Sequence, residues 1–559
     1  MLIRIVFLNI IFLSISFVSF SQTTYVRAGG KEEWLLNRME IKLQANNDFN
    51  LSTVKPYMRK AYVRQTEIID SLITAGSNTA AFSTIDQYNI DRFLANNTEY
   101  VMHPKESWKS KKPIWNTFFT SKGNLFEVNE KDFYLSVNPV ILEQQSIEQG
   151  NDERLFVNYK GVAARGLIAQ KIGFDFFLTD NQERTPLFVQ DWVSRYKAVP
   201  GGGFYKSFKK TGYDFFDARG SVNWNVTKYI NMQLGYDKNF IGNGYRSLFL
   251  SDFSNSYLFL KLNTRIWKIN YTNLYQELFP AFIKRGDNLL PRKYAAMHHF
   301  SINATPWLNV GLFESVVFGR KDHFDFSYLL PVIFLRSIEG ENGSPDNANI
   351  GFDAKVNIAK KVQVYGQLML DEFVLKNVLK HKDWWANKQA YQFGVKYVDA
   401  FNVSNLDLQL ELNNVRPFTY AHHDSVADYS HYNQPLAHPL GANFREIVFI
   451  AKYQPLKKLY LQGKMIYYKQ GTDSAGYDFG SNIFRNYEDR LRDYGYYMFQ
   501  GVPATCLNLS FNASYEIKEN LFIDGTMMYR KYSSSGTNNT TKLFTIGLRW
   551  NMFRREYDY

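Results

Sequence analysis

Cysteine is almost missing from this sequence: Cys506 is the single thiol in 559 residues. One thiol makes no internal disulfide, so no disulfide framework holds the fold. Long apolar runs are missing as well. After residue 21 there is no stretch of about 18 apolar residues, which excludes helices that cross a membrane. A phosphate-binding loop is also absent. Gly201-Gly202-Gly203 lacks the following Lys-Ser/Thr and the helix that such a loop needs, so the triplet reads as flexible backbone.

What is present sits oddly with these absences. Hydrophobic residues make up 45% of the chain and aromatic residues 17%, with 38 Tyr and 46 Phe. The first 21 residues, MLIRIVFLNIIFLSISFVSFS, carry one basic residue, Arg4, ahead of an apolar run that ends at Ser19-Phe20-Ser21. This reads as a secretory signal peptide cleaved after Ser21. No cysteine follows the cleavage site, which argues against a lipidated amino terminus. The formal charge of +12, behind an export signal, points to lipopolysaccharide or an acidic polysaccharide rather than to nucleic acid.

Residues 22–130 have helical spacing. KEEWLLNRMEIKL, VKPYMRKAYVRQTEIIDSLITAG and STIDQYNIDRFLAN predict three short helices, the second closing on Gly76 and the third opening on Ser83 and Thr84. From about residue 131 the period becomes two. SNLDLQLELNN puts Leu406, Leu408, Leu410 and Leu412 on one face and Asp407, Gln409, Glu411 and Asn413 on the other. TCLNLSFNASY, ANIGFDAKVNI and KLFTIGLRWNM alternate in the same way. Eighteen strands are predicted, starting near residues 131, 154, 172, 213, 230, 255, 267, 293, 308, 347, 362, 389, 405, 444, 459, 505, 520 and 541. Every second connection is short (IAQK, NVTKY, TPW, AKK, PLKK and KEN among them), and the others run mostly from about 15 to 34 residues. Trp224, Trp267, Trp307 and Trp550 gather near the short turns, as an interfacial girdle would. The expected fold is an all-β transmembrane protein: an 18-stranded antiparallel outer-membrane β-barrel over 131–559, with a small N-terminal periplasmic helical bundle over 22–130. The expected location is the outer membrane. The bundle either docks a periplasmic partner or closes the barrel from below.

Two long loops carry the chemistry. RPFTYAHHDSVADYSHYNQPLAHPLG (416–441) holds His422, His423, His431 and His438, with Asp424 and Asp428 among them. No standard zinc-ligand spacing is present, so neither a metal nor a cofactor is expected. An Asp424–His431 pair would be needed for hydrolysis, and the sequence does not bring the two together. The remaining reading is a packed loop whose side chains satisfy one another or bind sugar, through Tyr420, His422, Tyr432 and His438. The other loop, 181–212, has six basic residues against Glu183 and Asp191, a balance of +4. Arg184, Arg195, Lys206, Lys209 and Lys210, interleaved with Trp192 and Tyr205, suit an acidic glycan or the phosphates of lipopolysaccharide. Inward strand faces carry Asp371, Glu411 and Arg416 near the outer end and Arg219, Asp353, Lys355, Arg530 and Arg549 elsewhere. Confined charges pair, so ion-pair ladders that brace or narrow the lumen are expected.

NFIGNGYRSLFLSDFSNSYLFLKL (239–262) resembles the Gly-rich turn and Ser-Leu-x-Leu-Ser run of Wzi-type capsule-assembly barrels. ELNNVRPFTYAHH…SHYNQPLAHPLGAN (411–443) is similar to a second segment of that family. YGQLMLDEF (365–373) and SPDNANIGFD (344–353) look more like the gliding-motility-associated RemB branch of Bacteroidetes. The chain departs from the pattern at Asn243 and Tyr245, where Pro and Trp are expected, and NQPLAHPLG lacks an early glycine. The resemblance implies an 18-stranded barrel with a periplasmic helical bundle and a lectin-like, non-enzymatic role. That role is to bind, anchor or organise capsular or exopolysaccharide at the cell surface, and the RemB branch adds gliding or adhesion. A channel or transporter is the alternative, and a surface hydrolase the lesser one. A monomer is expected.

Overall fold

The computed structural model describes residues 23–76, 82–282, 289–332, 334–371, 380–474 and 476–559. The signal peptide with its cleavage after Ser21, and Glu372 and Phe373 of the family-like segment, lie outside the described residues.

Eighteen antiparallel strands close a barrel. They are β1 (Phe133–Glu148), β2 (Leu155–Ile168), β3 (Ile172–Arg184), β4 (Gly212–Asn225), β5 (Ile230–Asp237) and β6 (Tyr257–Ile266). There follow β7 (Ile269–Leu278), β8 (Lys293–Thr305), β9 (Leu308–Phe318), β10 (Asn347–Ile358), β11 (Val362–Leu370) and β12 (Gln389–Tyr397). The last six are β13 (Leu406–Val415), β14 (Phe444–Leu456), β15 (Leu459–Thr472), β16 (Val502–Lys518), β17 (Leu521–Ser534) and β18 (Thr537–Trp550). Closure joins β18 to β1, from Leu543 opposite Glu148 to Trp550 opposite Ile141. A closed sheet leaves no unpaired edge, which is the condition for spanning hydrocarbon with strands. No described helix is long and apolar enough to cross a membrane.

Alternation decides which side chain meets which medium. Along β10, Ile350, Phe352 and Ile358 are exposed on the outside, while Asp353, Lys355 and Asn357 are buried inside. Phe544, Ile546 and Leu548 of β18 and Leu509 and Phe511 of β16 face out in the same way. A Lys or Arg in their place at the bilayer midplane costs about 2–4 kcal/mol, which is why the apolar face points outward. Trp267 (76% exposed) and Trp307 stand at short turns, where an indole meets both lipid and water.

The lumen is filled from both ends. At the short-turn end sit three helices: α1 (Lys31–Leu43), α2 (Arg59–Thr74) and α3 (Thr84–Ala95). Ser83 caps α3 in a capping box with Asp86. The apolar faces of the helices pack on one another through Leu35, Met39, Tyr62, Ile69, Ile90 and Phe93. Their polar faces meet the barrel. Arg38, which also pairs with Asp86 of α3, reaches Asp399 and Asp407, Glu40 meets Lys355 at 2.7 Å, and Glu99 just after α3 meets Arg165 at 2.8 Å.

From the long-loop end two connections turn inward. Residues 238–256 dip into the lumen, where Phe240–Ile241 pairs with Val54–Lys55 ahead of α2. Leu248, Phe249 and Leu250 then bury completely against Met297, Phe313, Met369, Tyr420, Tyr429 and Leu436. Glycine permits two close approaches. A Cβ at Gly244 would stand 2.4 Å from a Glu411 carboxylate oxygen, and one at Gly351 would stand 2.4 Å from the Phe249 ring. The second inward connection is 416–443. Residues 551–559 also fold back inside after β18. Extended, nine residues reach about 30 Å, and they run from Trp550 at the short-turn end to Tyr559, whose ring meets Trp192 at 5.8 Å.

Candidate functional site

The connection from β3 to β4 stays outside. After Pro186 it forms α4 (Leu187–Tyr196), which ends on Lys197 in the left-handed conformation. Val189 and Val193 bury one face of α4. Phe188 meets Tyr557 at 6.5 Å, and Trp192 meets Tyr559 at 5.8 Å and Phe253 at 6.1 Å, so the helix lids the inward segments. Its charged neighbours keep their contact with water: Arg195, Lys197, Lys206, Lys209 and Lys210 are all exposed. Arg184 is not free in this way. It lies half-buried at the strand end, bonded to the Arg154 carbonyl at 3.3 Å and near Glu153 at 3.9 Å.

Two rows of rings cross the same face. Trp192 packs on Tyr196 (4.5 Å), Tyr196 on Phe484 (5.9 Å) and Phe484 on Phe282 (5.3 Å). Asn433 ties the row together, its amide donating to the Tyr196 carbonyl at 2.8 Å and its oxygen accepting from the Phe282 N–H at 2.5 Å. In the second row Phe204 meets Tyr432 at 4.9 Å and Tyr432 meets Phe279 at 4.7 Å, with the Arg292 guanidinium over Phe279 at 4.2 Å. Tyr205 packs edge-on against Tyr213 at 4.8 Å, beside this belt. Half-buried rings fixed by neighbours present flat apolar faces at low entropic cost, and the surrounding cations supply charge. Such a surface has the chemistry to stack against the apolar face of a sugar ring and to attract anionic groups. The sequence marked Trp192, Arg195, Tyr205, Lys206 and Tyr432. It did not mark Asn433, next to Tyr432, nor Phe279, Phe282, Arg292 and Phe484, which reach the belt from other loops and carry no local motif.

The histidine-rich connection lies inside instead. Tyr420 and His438 are fully buried, and His422 nearly so. The Tyr420 hydroxyl donates to the Leu248 carbonyl at 2.8 Å, and that of Tyr429 to the Phe249 carbonyl at 2.7 Å, so the two inward connections are sewn together. The histidine rings are occupied by structural bonds. The Asp424 N–H reaches Nδ1 of His422 at 3.2 Å, Phe279 N–H reaches Nδ1 of His431 at 3.1 Å, and Leu440 N–H reaches Nδ1 of His438 at 3.2 Å. Each Nδ1 is therefore an acceptor. Nε2 of His431 donates to the Ser256 carbonyl at 3.1 Å, and Nε2 of His438 faces Glu446 at 2.8 Å. Burial pushes His431 down to about 3, against the Ser256 hydrogen bond and with help from Lys293 and Lys238. His438 is likewise lowered by burial, with Glu446 opposing. Asp424 accepts from Val426 N–H at 2.9 Å, and no hydrogen bond joins it to His431 among the described residues. No group of three or more His, Cys, Asp or Glu among the described residues is arranged to hold a metal. Of the four sugar-binding candidates in this loop, Tyr432 alone is not buried, and the exposed His423 and Asp424 lie beside buried neighbours; a polymer outside reaches neither Tyr420 nor His438.

The expected lumen network needs correction. Asp371, Glu411 and Arg416 do not form one ladder. Asp371 accepts from Tyr420 N–H at 2.7 Å, with Lys388 at 3.5 Å. Glu411 is held by hydrogen-bond donors: Tyr245 N–H (2.7 Å), Arg246 N–H (3.0 Å) and the Tyr365 hydroxyl (2.8 Å). Backbone donors of the inward turn at Gly244 thus take the place expected for a cation. Arg416 points away, to the carbonyls of Asn387 (2.8 Å) and Lys382 (3.0 Å). Pairing holds for most of the others. Asp353 meets His299 at 2.6 Å, Lys355 meets Glu40, Arg219 meets Asp217 at 2.6 Å and Arg549 meets Asp524 at 2.8 Å. Arg530 instead lies over the Phe188 ring at 4.3 Å.

No family model matches the sequence, and no curated protein does. Among solved structures the chain is similar to Wzi of Escherichia coli, a carbohydrate-binding β-barrel of the outer membrane involved in group 1 capsule assembly. The two share 13% identity over 95% of this chain and 100% of that one, with a TM-score of 0.56. OprD of Pseudomonas aeruginosa aligns at 11% identity over 74% of this chain and 94% of its own, with a TM-score of 0.42. OccK8 of the same organism aligns at 7% identity over 74% and 97%, with a TM-score of 0.42. At these identities the likeness to Wzi is one of fold, extending over the barrel and the helices at its short-turn end.

Proposed function

We propose that this chain is an outer-membrane barrel that binds or organises surface polysaccharide on its long-loop face, without enzymatic activity. The observation that carries this reading is the aromatic–cation belt lying over a lumen filled from both ends. The long-loop face then looks outward and α1–α3 face the periplasm, with the mature chain beginning after Ser21. Trp192, Tyr196, Tyr432 and Phe282 offer stacking faces, and Arg195, Lys206, Lys209 and Lys210 favour an acidic polymer or lipopolysaccharide phosphates. The carbohydrate binding of Wzi, on a similar barrel, supports the polymer class. Tyr205 and Arg184 border the belt, while Tyr420, His422 and His438 support it from beneath.

Cells carrying Arg195→Ala, Lys206→Ala, Lys209→Ala and Lys210→Ala together are expected to shed acidic polymer into the medium while the barrel stays in the outer membrane. Unchanged retention of polymer would overturn the reading. A wide, steadily conducting pore in planar bilayers would favour transport instead. Intact polymer retention with lost surface spreading would favour the motility role of the RemB branch.

A further inference from the structure

Between α1 and the inward loops the lumen keeps a cavity of about 510 Å³, within the roughly 300–1,000 Å³ of small-molecule sites. Twelve Lys and Arg line it against six Asp and Glu. Most of these cations are satisfied: Arg38 by Asp407, Arg246 by Glu446, Arg549 by Asp524 and Arg555 by Glu183. Three lysines have no carboxylate within ion-pair distance among the described residues. Lys396 donates to the Asn37 side-chain oxygen at 2.9 Å. Lys452 stands over the Trp34 ring at 5.9 Å. Lys238 donates to the carbonyls of Gly201 (2.6 Å) and Asp252 (3.1 Å).

The placement of these three groups is regular. Lys396 on β12 and Lys452 on β14 flank β13, where Gln409 stands opposite Lys396 in register. Lys238 follows β5, eight strands away from β13 in a barrel of eighteen, and so faces them from across the lumen. Confined charges without an opposite charge in contact are retained at a cost. Carboxylates already enter this chamber: Asp558 of the inward tail lies 2.7 Å from Lys464 and 3.8 Å from Arg246. Trp34 and Gln409 add a ring face and an amide beside the lysines.

We infer that this chamber is a second binding site, for a small acidic saccharide: one carboxylate bridges Lys396 and Lys452 with the sugar ring against Trp34, and Lys238 meets the far end. The inference deepens the polysaccharide reading and rests on it for the saccharide class. The lysines act as a charged clamp that neutral sugars do not engage.

The test uses the full chain in detergent micelles, carrying the four outer-loop alanines so that the outer face is silent. Trigalacturonic acid is titrated calorimetrically, with maltotriose and inorganic phosphate in parallel. Trigalacturonate is expected to bind and maltotriose not to. Lys396→Gln with Lys452→Gln should weaken binding at least tenfold. Asn37→Asp, which gives Lys396 an internal carboxylate, should weaken it similarly while leaving the thermal transition in place. Absence of binding, equal affinity in the double variant, or phosphate binding as tightly as trigalacturonate would each overturn the inference. None of these results bears on polymer retention by the outer face, which is read on cells.

Discussion

The two long connections singled out in the sequence end in opposite places. Residues 181–212 lie across the outer face with five cations in water, whereas most of residues 416–443 descend into the lumen and are buried, with His423, Asp424 and Ser425 left exposed. The difference follows from what each segment can satisfy. The five exposed cations of 181–212 have no carboxylate to follow them inside and stay hydrated, because burying an isolated charge is costly. The buried histidines and tyrosines of 416–443 bury neutral because ring nitrogens and hydroxyls find partners, three of them the Leu248, Phe249 and Ser256 carbonyls of the inward loop at 238–256. A segment dense in residues with chemical potential is therefore a scaffold here, and the plainer basic loop is the exposed one.

The strongest way to break this comparison is to remove one charge from the inner segment. Lys293 on β8 meets Asp428 at 2.5 Å, and both side chains are sealed from solvent. Asp428→Ala leaves a buried ammonium with hydrogen bonds to the Asp428 carbonyl and the Ser430 hydroxyl alone. Loss of one partner from a buried pair costs about 3–5 kcal/mol. The variant should lower the midpoint of heat-modified gel mobility and raise bilayer conductance as the plug leaves the lumen. Lys293→Met combined with Asp428→Leu should recover much of the loss. If Asp428→Ala behaved like wild type, the inner connection would have no structural role.

Acid sharpens the same contrast by a smaller amount. His431 is locked in the tautomer that accepts at Nδ1 and donates from Nε2, so a second proton at Nδ1 would face the Phe279 N–H. Its folded pKa, about 3, lies below the unfolded value near 6.5. Above 6.5 both states are neutral and the stability is fully present. As pH falls from 6.5 toward 3 the released loop takes the proton first, and stability is lost by up to about 1.4 kcal/mol per pH unit. The charges of Lys293 and Lys238 push in the same direction. Asp428, raised by burial, works against it at the acid end. Conductance should therefore rise between pH 7 and pH 4.5, and His431→Gln, which keeps both hydrogen bonds without titrating, should flatten that rise. A wild-type protein that stays closed at pH 4.5 would remove the assignment of the tautomer.

Strands were legible because lipid enforces alternation: the eighteen starts inferred from it lie within four residues of those observed. Helix α1 matches the KEEWLLNRMEIKL segment at both ends. Other features have no local signature. Ala169-Gln170 and Ala359-Lys360 make tight turns with positive φ at both residues (48° and 50°, 51° and 57°), without the Asn or Gly that would advertise them. The descent of 416–443 depends on Tyr420 reaching Leu248, 172 positions away. The backbone donors to Glu411 come from a turn 165 and 166 residues earlier, so pairing rules based on charge pointed to Arg416 instead. The belt assembles Phe204, Phe282, Tyr432 and Phe484 from four loops, and a register between loops is written nowhere in their own composition.

The smallest effect on stability and the most direct one on binding belong to the outer connection. Arg195, Lys206, Lys209 and Lys210 are exposed, and exposed substitutions usually change stability by less than about 0.5 kcal/mol. The fourfold alanine variant should thus keep the wild-type thermal transition and still lose most of its affinity for an acidic polymer. Salt separates the two halves of the belt. Charge attraction fades once the screening length falls toward about 10 Å at 0.1 M salt and shorter above it, whereas ring stacking does not. The wild-type affinity should therefore fall with salt to a floor, and the fourfold variant should sit at that floor at every salt concentration. Phe282→Ala with Tyr432→Ala should lower the floor and preserve the salt slope. Equal salt slopes in the wild type and the fourfold variant would mean that the exposed cations take no part, and the contrast between the inner and outer connections would then be one of burial without a difference in role.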